Sequence, residues 1–237
     1  MYKGKSFAAI VPARAGSKGV KGKNRRLCAG KPLVSWTFEA ARACSLLDGV
    51  YCSTDDPAVA HCAARYGVEV LPRPKRLATD EAKMLGVILD VKQRLEKSGR
   101  KFDYLVLLQP TSPLRTASDI SRALKQIVRD NTASLASVSP VDLRAGLLVL
   151  GKKKNGALLT RSLAADCADL PRQQKPLLFR VDGAVYVWRN SFLTPHCVLN
   201  APQSAVVLPE NHARDIDTPA DFKVCEELLN AQVQSGK

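Results

Sequence analysis

Residues 7–24, FAAIVPARAGSKGVKGKN, decide how the first part of this chain folds and what it binds. The apolar start predicts a buried strand that ends at Pro12, and a loop with three glycines follows before a helical pattern opens at Pro32. Glycines let backbone N–H groups approach phosphate oxygens closely. The same loop carries four fixed cations, Arg14, Lys18, Lys21 and Lys23. Together these features predict a cradle for a polyphosphate.

Other interpretations of this loop differ in how well they fit. A Walker P-loop needs a Gly-Lys-Ser/Thr ending that Gly16-Ser17-Lys18-Gly19 lacks, and a dinucleotide fingerprint needs a different glycine spacing. Both are excluded. A solvated basic loop between a strand and a helix stays open on the residues alone, because runs of charge often lie only on the surface.

Composition narrows the class of protein. A length of 237 residues suits one α/β domain spanning residues 1–237, and 36 Lys and Arg against 22 Asp and Glu give a formal charge of +14. This charge predicts an anionic partner. Only 5% of residues are aromatic and no stacking stripe is visible, so we expect a polyanionic small substrate and no nucleic acid.

The seven cysteines form no Cys-x-x-Cys pair and have no metal-ligand spacing with the three histidines, so most are expected to be core thiols. The N-terminus shows no apolar signal core, and no apolar run approaches the roughly 18 residues of a membrane span. The sequence thus predicts a cytoplasmic protein without a membrane partner, and a eukaryotic source would leave a nuclear location open.

Between residue 6 and about residue 140, short apolar runs alternate with helical stretches, which predicts a parallel sheet covered on both faces. Helices are expected at 32–44, after the capping carboxylates Asp55 and Asp56, at 80–97, from a Ser118 cap to about 130, and after a capping box at Thr218. Further strands are expected at 49–53, 68–71, 104–108, 133–138, 177–188 and 205–208. Residues 147–150 and 157–159, with a turn at 151–156, predict a β-hairpin that leaves this doubly wound pattern.

Two aspartates near the C-terminus have the pattern of a metal site. Asp215 and Asp217 alternate along an extended stretch, so both side chains face one side and can share Mg²⁺ through oxygen ligands. The alternative is that they only cap the next helix, but Thr218 already has that role. Gln109 directly follows an apolar strand, at the carboxyl end where open α/β sheets collect ligands.

The loop string VPARAGSKGVKGKN resembles the signature loop of the acylneuraminate cytidylyltransferases, which activate sialic acids and related nonulosonic acids with CTP. The resemblance continues in family order through nearly the whole chain. The further blocks are RPKRLATD from Arg73, LLQPTSPLRTASDI from Leu107, PRQ from Pro171, FRVDGAVYVW to Trp188 and RDIDTPADF from Arg214.

This resemblance implies a doubly wound, mostly parallel sheet of the nucleotide-diphospho-sugar transferase type, which is Rossmann-like. A small β-rich segment at residues 141–180 would project from it and form a homodimer interface. The implied reaction is Mg²⁺-dependent transfer of CMP from CTP to the anomeric hydroxyl of a nonulosonic acid. A cytidylyltransferase for the eight-carbon acid of lipopolysaccharide and a basic nucleic-acid-binding protein are the alternatives.

The resemblance also implies roles for individual residues. The triphosphate would be held by Arg14, Ser17, Lys23 and Asn24, with Lys23 as the main cation of the transition state. Lys18 and Lys21 would only add to the positive electrostatic potential of the loop. The nucleotide would also contact Arg73 and the backbone near Ala82, and the sugar acid would contact Gln109, Arg172, Tyr186 and Asp217. Arg14, Lys23 and Asp217 are then the catalytic candidates, and Asp215 with Asp217 the metal ligands.

Several departures from the family pattern lie on the sugar side. Asp182 stands where relatives usually carry Asn, and Val198 and Leu199 stand where relatives specific for the common sialic acid carry an aromatic pair. A pocket changed in shape and charge predicts that a deoxy-diamino or deaminated nine-carbon acid is used better than N-acetylneuraminate. The discrimination should be modest, about 1–3 kcal/mol, because a few carbons in an apolar pocket separate ligands only weakly.

Overall fold

A seven-stranded sheet forms the centre of the computed structural model, which describes residues 1–17, 19–141, 149–152, 158–161, 178–197, 199 and 202–235. The strands are β1 (Phe7–Pro12), β2 (Leu27–Cys28), β3 (Lys31–Pro32), β4 (Gly49–Thr54), β5 (Glu69–Pro72), β6 (Tyr104–Leu107), β7 (Ser134–Val141), β8 (Val149–Lys152), β9 (Leu158–Arg161), β10 (Leu178–Arg189) and β11 (Ser204–Val207). The helices are α1 (Leu33–Ala43), α2 (Pro57–Arg65), α3 (Met84–Lys97), α4 (Ala117–Asp130) and α5 (Pro219–Gln234).

The order of strands across the sheet is β11-β7-β10-β6-β1-β4-β5. Strand β1 pairs in parallel with β4 and β6, β4 with β5, and β7 with β11, whereas β10 runs antiparallel to both of its neighbours. The predicted doubly wound, mostly parallel sheet is therefore confirmed. Its parallel strands β1, β4 and β6 end at one edge, which is where ligands collect in such sheets.

Helices cover both faces of the sheet. The apolar side chains of β1 alternate between the two faces, so this strand needs cover on each of them. Phe7, Ala9 and Val11 pack in a core with residues of α1, α2 and α4. Ala8 and Ile10 pack on the other face with residues of α3. Helix α5 forms a third cluster, in which Phe222, Cys225 and Leu229 contact Val20, Leu33, Leu114 and Ile216. That cluster fixes the C-terminal segment beside the glycine loop.

Two predicted helix starts are wrong. Helix α4 is capped by Thr116, not Ser118, because the Thr116 hydroxyl accepts from the Asp119 N–H and the Asp119 carboxylate accepts in return. Helix α3 begins at Met84 and not at residue 80. The preceding residues form a turn in which Asp80 lies beside Arg14 at the edge of the cleft described below.

At the other two helices the predicted caps Asp56 and Thr218 are confirmed, whereas Asp55 is not the cap of α2, because its carboxylate accepts from the Ala15 N–H at 2.9 Å. The Asp56 carboxylate accepts from the Ala58 N–H at the start of α2, and Thr218 and Asp221 form the capping box of α5. Four of the cysteines are buried, in line with their predicted role as core thiols: Cys28, Cys44, Cys52 and Cys225. Cys167 lies outside the described residues.

Strands β8 and β9 form the predicted antiparallel hairpin, although Gly151 and Lys152 belong to β8 and not to the turn. The remainder of the predicted 141–180 segment lies largely outside the described residues, and Arg172 lies outside them as well. Within the part of the chain that the structure covers, no helix has the length and apolar character that crossing a membrane requires.

Candidate active site

The glycine loop leaves β1 at the carboxyl edge of the sheet and is held by its own polar side chains. The Ser17 hydroxyl donates to the Val20 carbonyl and accepts from the Lys23 N–H at 3.1 Å. The buried Asn24 amide donates to the Arg14 carbonyl at 3.0 Å. Ser17 and Asn24 thus shape the loop, and both also line the cleft that it encloses.

The loop packs directly against the C-terminal aspartates. A Cβ at Gly19 would collide with the carbonyl oxygen of Asp217, so only glycine fits here without a shift of the backbone. Lys23 reaches the same segment, where its ammonium donates to the Ile216 carbonyl. Sequence spacing alone could not reveal this meeting, because the partners are separated by 193 positions.

Lys23 is a half-buried cation surrounded by carboxylates. Partial burial lowers the pKa of Lys23, and the neighbouring Asp217, Asp215 and Asp221 oppose that shift by favouring the charged form. The positive charge of Arg14 also lowers the pKa of Lys23, by a smaller amount. A partly desolvated lysine that remains charged beside carboxylates is well suited to bind phosphate oxygens.

Two arginines border the same cleft. The Arg14 guanidinium forms an ion pair with Asp80 at 2.6 Å, and both side chains remain partly exposed. Arg73 is 8% exposed and donates to the Ser53 carbonyl at 2.8 Å, which fixes it at the end of β4. Burial lowers the pKa of Arg73, while Asp55 favours its charged form.

These residues surround a cleft of about 300 Å³, which we call the first cavity. Its lining combines the glycine loop, the ends of β1 and β6, and the C-terminal segment. It includes Arg14, Gly16, Ser17, Gly19, Lys23, Asn24, Arg73, Met84, Gln109, Thr111 and Asp217. Met84, the first residue of α3, packs against the core and also faces this cleft.

A second cavity of about 450 Å³ adjoins the first. Gln109 and Asp217 line both, so they mark the junction between them. The second cavity is strongly polar, with the side chains of Arg180, Asp182, Tyr186, Arg214, Asp215 and Asp221 in its lining. Burial raises the pKa of Tyr186 to about 12, so its phenol is neutral at physiological pH and can donate a hydrogen bond.

Asp215 and Asp217 lie close enough to influence each other. The pKa of Asp215 is raised mainly by partial burial and also by the charge of Asp217, whereas Thr111 and Lys23 lower it. Neither aspartate caps α5, since Thr218 and Asp221 form the capping box. Asp221 also accepts from the Asp217 N–H at 3.2 Å, which holds the segment in place.

This donor set fits Mg²⁺ chemically. Magnesium is usually held by one or two carboxylates together with substrate phosphates and waters, and it needs no complete cage of protein ligands. The described residues contain no group of three His, Cys, Asp or Glu side chains arranged to hold a metal. The ammonium of Lys23 already lies at the backbone between the two carboxylates.

Most of the site residues that the sequence suggested come together here. Ser17, Lys23, Asn24 and Arg73 lie with Arg14 around the first cavity, and Tyr186 lines the second. Ala82 lies in the turn before α3 and does not line the first cavity; its N–H donates to the Thr79 carbonyl. Arg172, Lys18 and Val198 lie outside the described residues.

Several residues that the fold brings to the site were not predicted from the sequence. Asp80 pairs with Arg14, Thr111 lines the first cavity, and Arg180 lines the second. A further one, Arg115, is fully buried behind Gln109. Arg115 and Thr111 both belong to the quoted block LLQPTSPLR, so a turn after an apolar strand was the available signal.

Comparisons with known proteins identify the family of the chain. Residues 8–177 match the family model described as Cytidylyltransferase. The chain is 32% identical over 224 residues to the CMP-N,N'-diacetyllegionaminic acid synthase of Legionella pneumophila, covering 93% of this chain and 95% of that protein. It is 29% identical over 216 residues to the N-acylneuraminate cytidylyltransferase of Streptococcus agalactiae, covering 90% of this chain but 51% of the relative.

Among solved structures, a CMP:2-keto-3-deoxy-manno-octonic acid synthetase complexed with CTP superposes with a TM-score of 0.73. The match covers 96% of this chain and 99% of that one at 18% sequence identity, so it supports the fold. The family model covers well over half of the sequence, and the Legionella relative matches nearly end to end. The chain therefore belongs to the cytidylyltransferase family of enzymes.

Proposed function

We propose that this enzyme transfers CMP from CTP to the anomeric hydroxyl of a nonulosonic acid and releases pyrophosphate. The observation that carries the proposal is the junction of the two cavities at Gln109 and Asp217. One cavity is lined by cations and a glycine loop, as a triphosphate requires. The other offers the hydroxyl, amide and charged groups that a sugar acid requires.

The reaction joins the two sides of the junction. The anomeric oxygen of the sugar acid forms a bond to the α-phosphorus, and the bond from that phosphorus to the oxygen bridging to the β-phosphate breaks. Pyrophosphate leaves with the bridging oxygen, and the hydroxyl proton passes to the Asp217 carboxylate or to water. Catalysis of such a step consists mostly of positioning the reactants and stabilising the negative charge.

On the nucleotide side, Lys23 and Arg14 would stabilise the charge that develops on the α-phosphate and on the departing pyrophosphate. Ser17 and Asn24 hold the loop in shape, so that its backbone N–H groups can face the phosphates. We propose that the cytosine base of CTP binds near Arg73 and the turn that contains Ala82. Because Arg14 is paired with Asp80, CTP must compete with that carboxylate for the guanidinium.

Asp215 and Asp217 are the residues that would hold Mg²⁺. When bound, the ion would neutralise phosphate charge and lower the pKa of the sugar hydroxyl. On the sugar side, Gln109 and Tyr186 offer an amide and a neutral phenol to hydroxyl groups in the second cavity. Arg172 would supply a guanidinium fork for the sugar carboxylate.

A pyrophosphate-release assay tests the proposed function. CTP would be incubated with Mg²⁺ and with N,N'-diacetyllegionaminate, N-acetylneuraminate, a deaminated nine-carbon acid or the eight-carbon acid in turn. Release that requires both CTP and a nine-carbon acid is the expected result. Release with the eight-carbon acid alone would favour the alternative substrate class, and binding of nucleic acid without any release would overturn the proposal.

We expect a deoxy-diamino nine-carbon acid to be used better than N-acetylneuraminate. Asp182 carries a carboxyl group beside the second cavity, and the Legionella relative is named for a diacetylated diamino acid. The ratio of kcat/KM values should lie between about 5 and 150, which corresponds to about 1–3 kcal/mol. Steady-state kinetics at saturating CTP measures it, and a clear preference for N-acetylneuraminate would contradict the expectation.

We also expect the enzyme to act as a cytoplasmic homodimer, with residues 141–180 forming the interface. The sequence of that segment places an apolar hairpin, with Leu147–Leu150 and Ala157–Leu159, next to lysines. Such a hairpin tends to be covered by a partner. Light scattering at micromolar protein should give twice the chain mass of 25.7 kDa. Deleting the hairpin should give a monomer, whereas a monomeric full-length chain would count against the interface.

A further inference from the structure

Strand β10 contains a bulge directly beside the junction of the two cavities. Its pairing with β7 shifts register between Val181 and Tyr186, so the residues between them leave the regular ladder. Gly183 has a φ of +82°, which only glycine adopts readily. Bulges of this kind often aim a side chain at a site and are held by specific contacts.

Side chains replace the hydrogen bonds that the bulge removes from the ladder. The buried Asp182 carboxylate accepts from the Ala184 N–H at 3.0 Å and from the Ser137 hydroxyl. The same hydroxyl accepts from the Val185 N–H at 2.8 Å. The N–H groups of Ala184 and Val185 are thereby satisfied, which is what a buried backbone requires.

Arg115 connects the bulge to the end of β6. This arginine is 2% exposed, and one nitrogen of its guanidinium donates to the Ala184 carbonyl at 2.8 Å and to the Gln109 carbonyl at 3.1 Å. Its other terminal nitrogen donates to the Thr37 hydroxyl at 2.7 Å. The backbone of Gln109 is therefore held at a fixed position relative to the bulge.

Gly183 forms the surface against which the Gln109 side chain rests. A Cβ at residue 183 would lie 3.1 Å from the Gln109 Oε1 atom and 3.9 Å from an Asp215 carboxylate oxygen. A methyl group at residue 183 would therefore press on the amide at the junction, which would have to shift by a few tenths of an ångström. A change at Gly183 would act first on Gln109.

We propose that Gly183 and the Asp182–Ser137 pair are positioning residues that orient Gln109 toward the sugar acid. The inference rests on the proposed function, because it takes Gln109 as a sugar contact. It assigns to the bulge a role in recognising the acceptor and none in binding CTP. Arg115 donates to the backbone carbonyl of Gln109, and the side-chain oxygens of Ser112 and Asp215 each lie 3.9 Å from where a Cβ at residue 183 would stand.

The test compares Gly183→Ala with Gly99→Ala in the full chain. Gly99 has a similar φ of +77° but no atom near its added Cβ, so it carries the same backbone strain away from the site. Both variants should lose a similar amount of thermal stability. Only Gly183→Ala should raise the KM for the sugar acid, lowering kcat/KM by up to about 100-fold, as expected for a misplaced contact. Its KM for CTP should stay unchanged.

A second pair of variants covers the case in which Gly183→Ala does not fold. Asp182→Asn keeps an acceptor oxygen for Ala184 and Ser137, whereas Asp182→Ala removes it. We expect Asp182→Ala to raise the sugar KM selectively and Asp182→Asn to restore most of the loss. Equal changes in the KM values for CTP and for the sugar acid, or no change in either, would overturn this inference but not the proposed function. A wild-type chain inactive with every acid would instead remove the proposed function, and this inference with it.

Discussion

Replacing Lys23 with alanine should lower kcat by about 100- to 1,000-fold, which is the usual cost of removing one preorganised group that stabilises transition-state charge. Lys23 is the half-buried cation at the cavity junction, and it already contacts the Ile216 backbone between the two candidate metal ligands. Steady-state kinetics should show the loss in turnover and less in KM, because the charge it meets develops mainly during the reaction.

The fold should survive this change. Lys23 contributes no apolar surface to the core, and partial burial already disfavours its charge. The melting temperature should therefore change by no more than a few degrees. Lys21→Ala is the matched control, since it removes the same charge from an exposed position of the same loop. Near-normal turnover in Lys23→Ala, or an equal loss in Lys21→Ala, would remove Lys23 from its proposed role.

The second large effect concerns Asp215 and Asp217. Asp215→Asn and Asp217→Asn should each raise the Mg²⁺ concentration needed for half-maximal activity, because both carboxylates are proposed to hold one ion. The double variant should lose about 1–3 kcal/mol less than the sum of the single losses, as expected for residues that act together. Activity measured across a magnesium titration for all four proteins gives this double-mutant cycle.

Asp221→Asn serves as the control for that cycle. Asp221 is also acidic and near Lys23, but its carboxylate accepts from the Thr218 and Asp217 N–H groups as part of the cap of α5. Loss of the Asp221 carboxylate should lower the free energy of unfolding by about 1 kcal/mol and leave the magnesium dependence of activity nearly intact. Small additive effects of Asp215→Asn and Asp217→Asn would show that these aspartates bind no common ion.

The sequence predicted the fold class because each signal in it is local. The apolar runs of β1 and β6 are typical of buried parallel strands, and the structure contains both. The sequence-based predictions were wrong where a tertiary contact determines the residue at which a helix begins. Helix α3 starts four residues late because the turn at Asp80 pairs with Arg14, a contact across 66 positions of sequence that no propensity encodes.

The candidate site was predictable as a set of residues but not as an arrangement. The glycine loop and the aspartate pair were recognisable from composition and spacing. Their direct contact through Gly19 and Lys23 depends on how α5 docks against the loop, which only the packing of Val20, Ile216 and Phe222 determines. Arg115 was not predicted from the sequence, because its role depends on its buried position behind Gln109 in the folded chain.

Mass spectrometry of the product tests the central claim most directly. The enzyme would be incubated with CTP, Mg²⁺ and N,N'-diacetyllegionaminate carrying ¹⁸O at its anomeric hydroxyl. Transfer of CMP to that hydroxyl predicts a CMP-sugar that retains the label in the oxygen between sugar and phosphorus, together with unlabelled pyrophosphate. A product without the label, or no CMP-sugar with any nonulosonic acid, would contradict the proposed reaction.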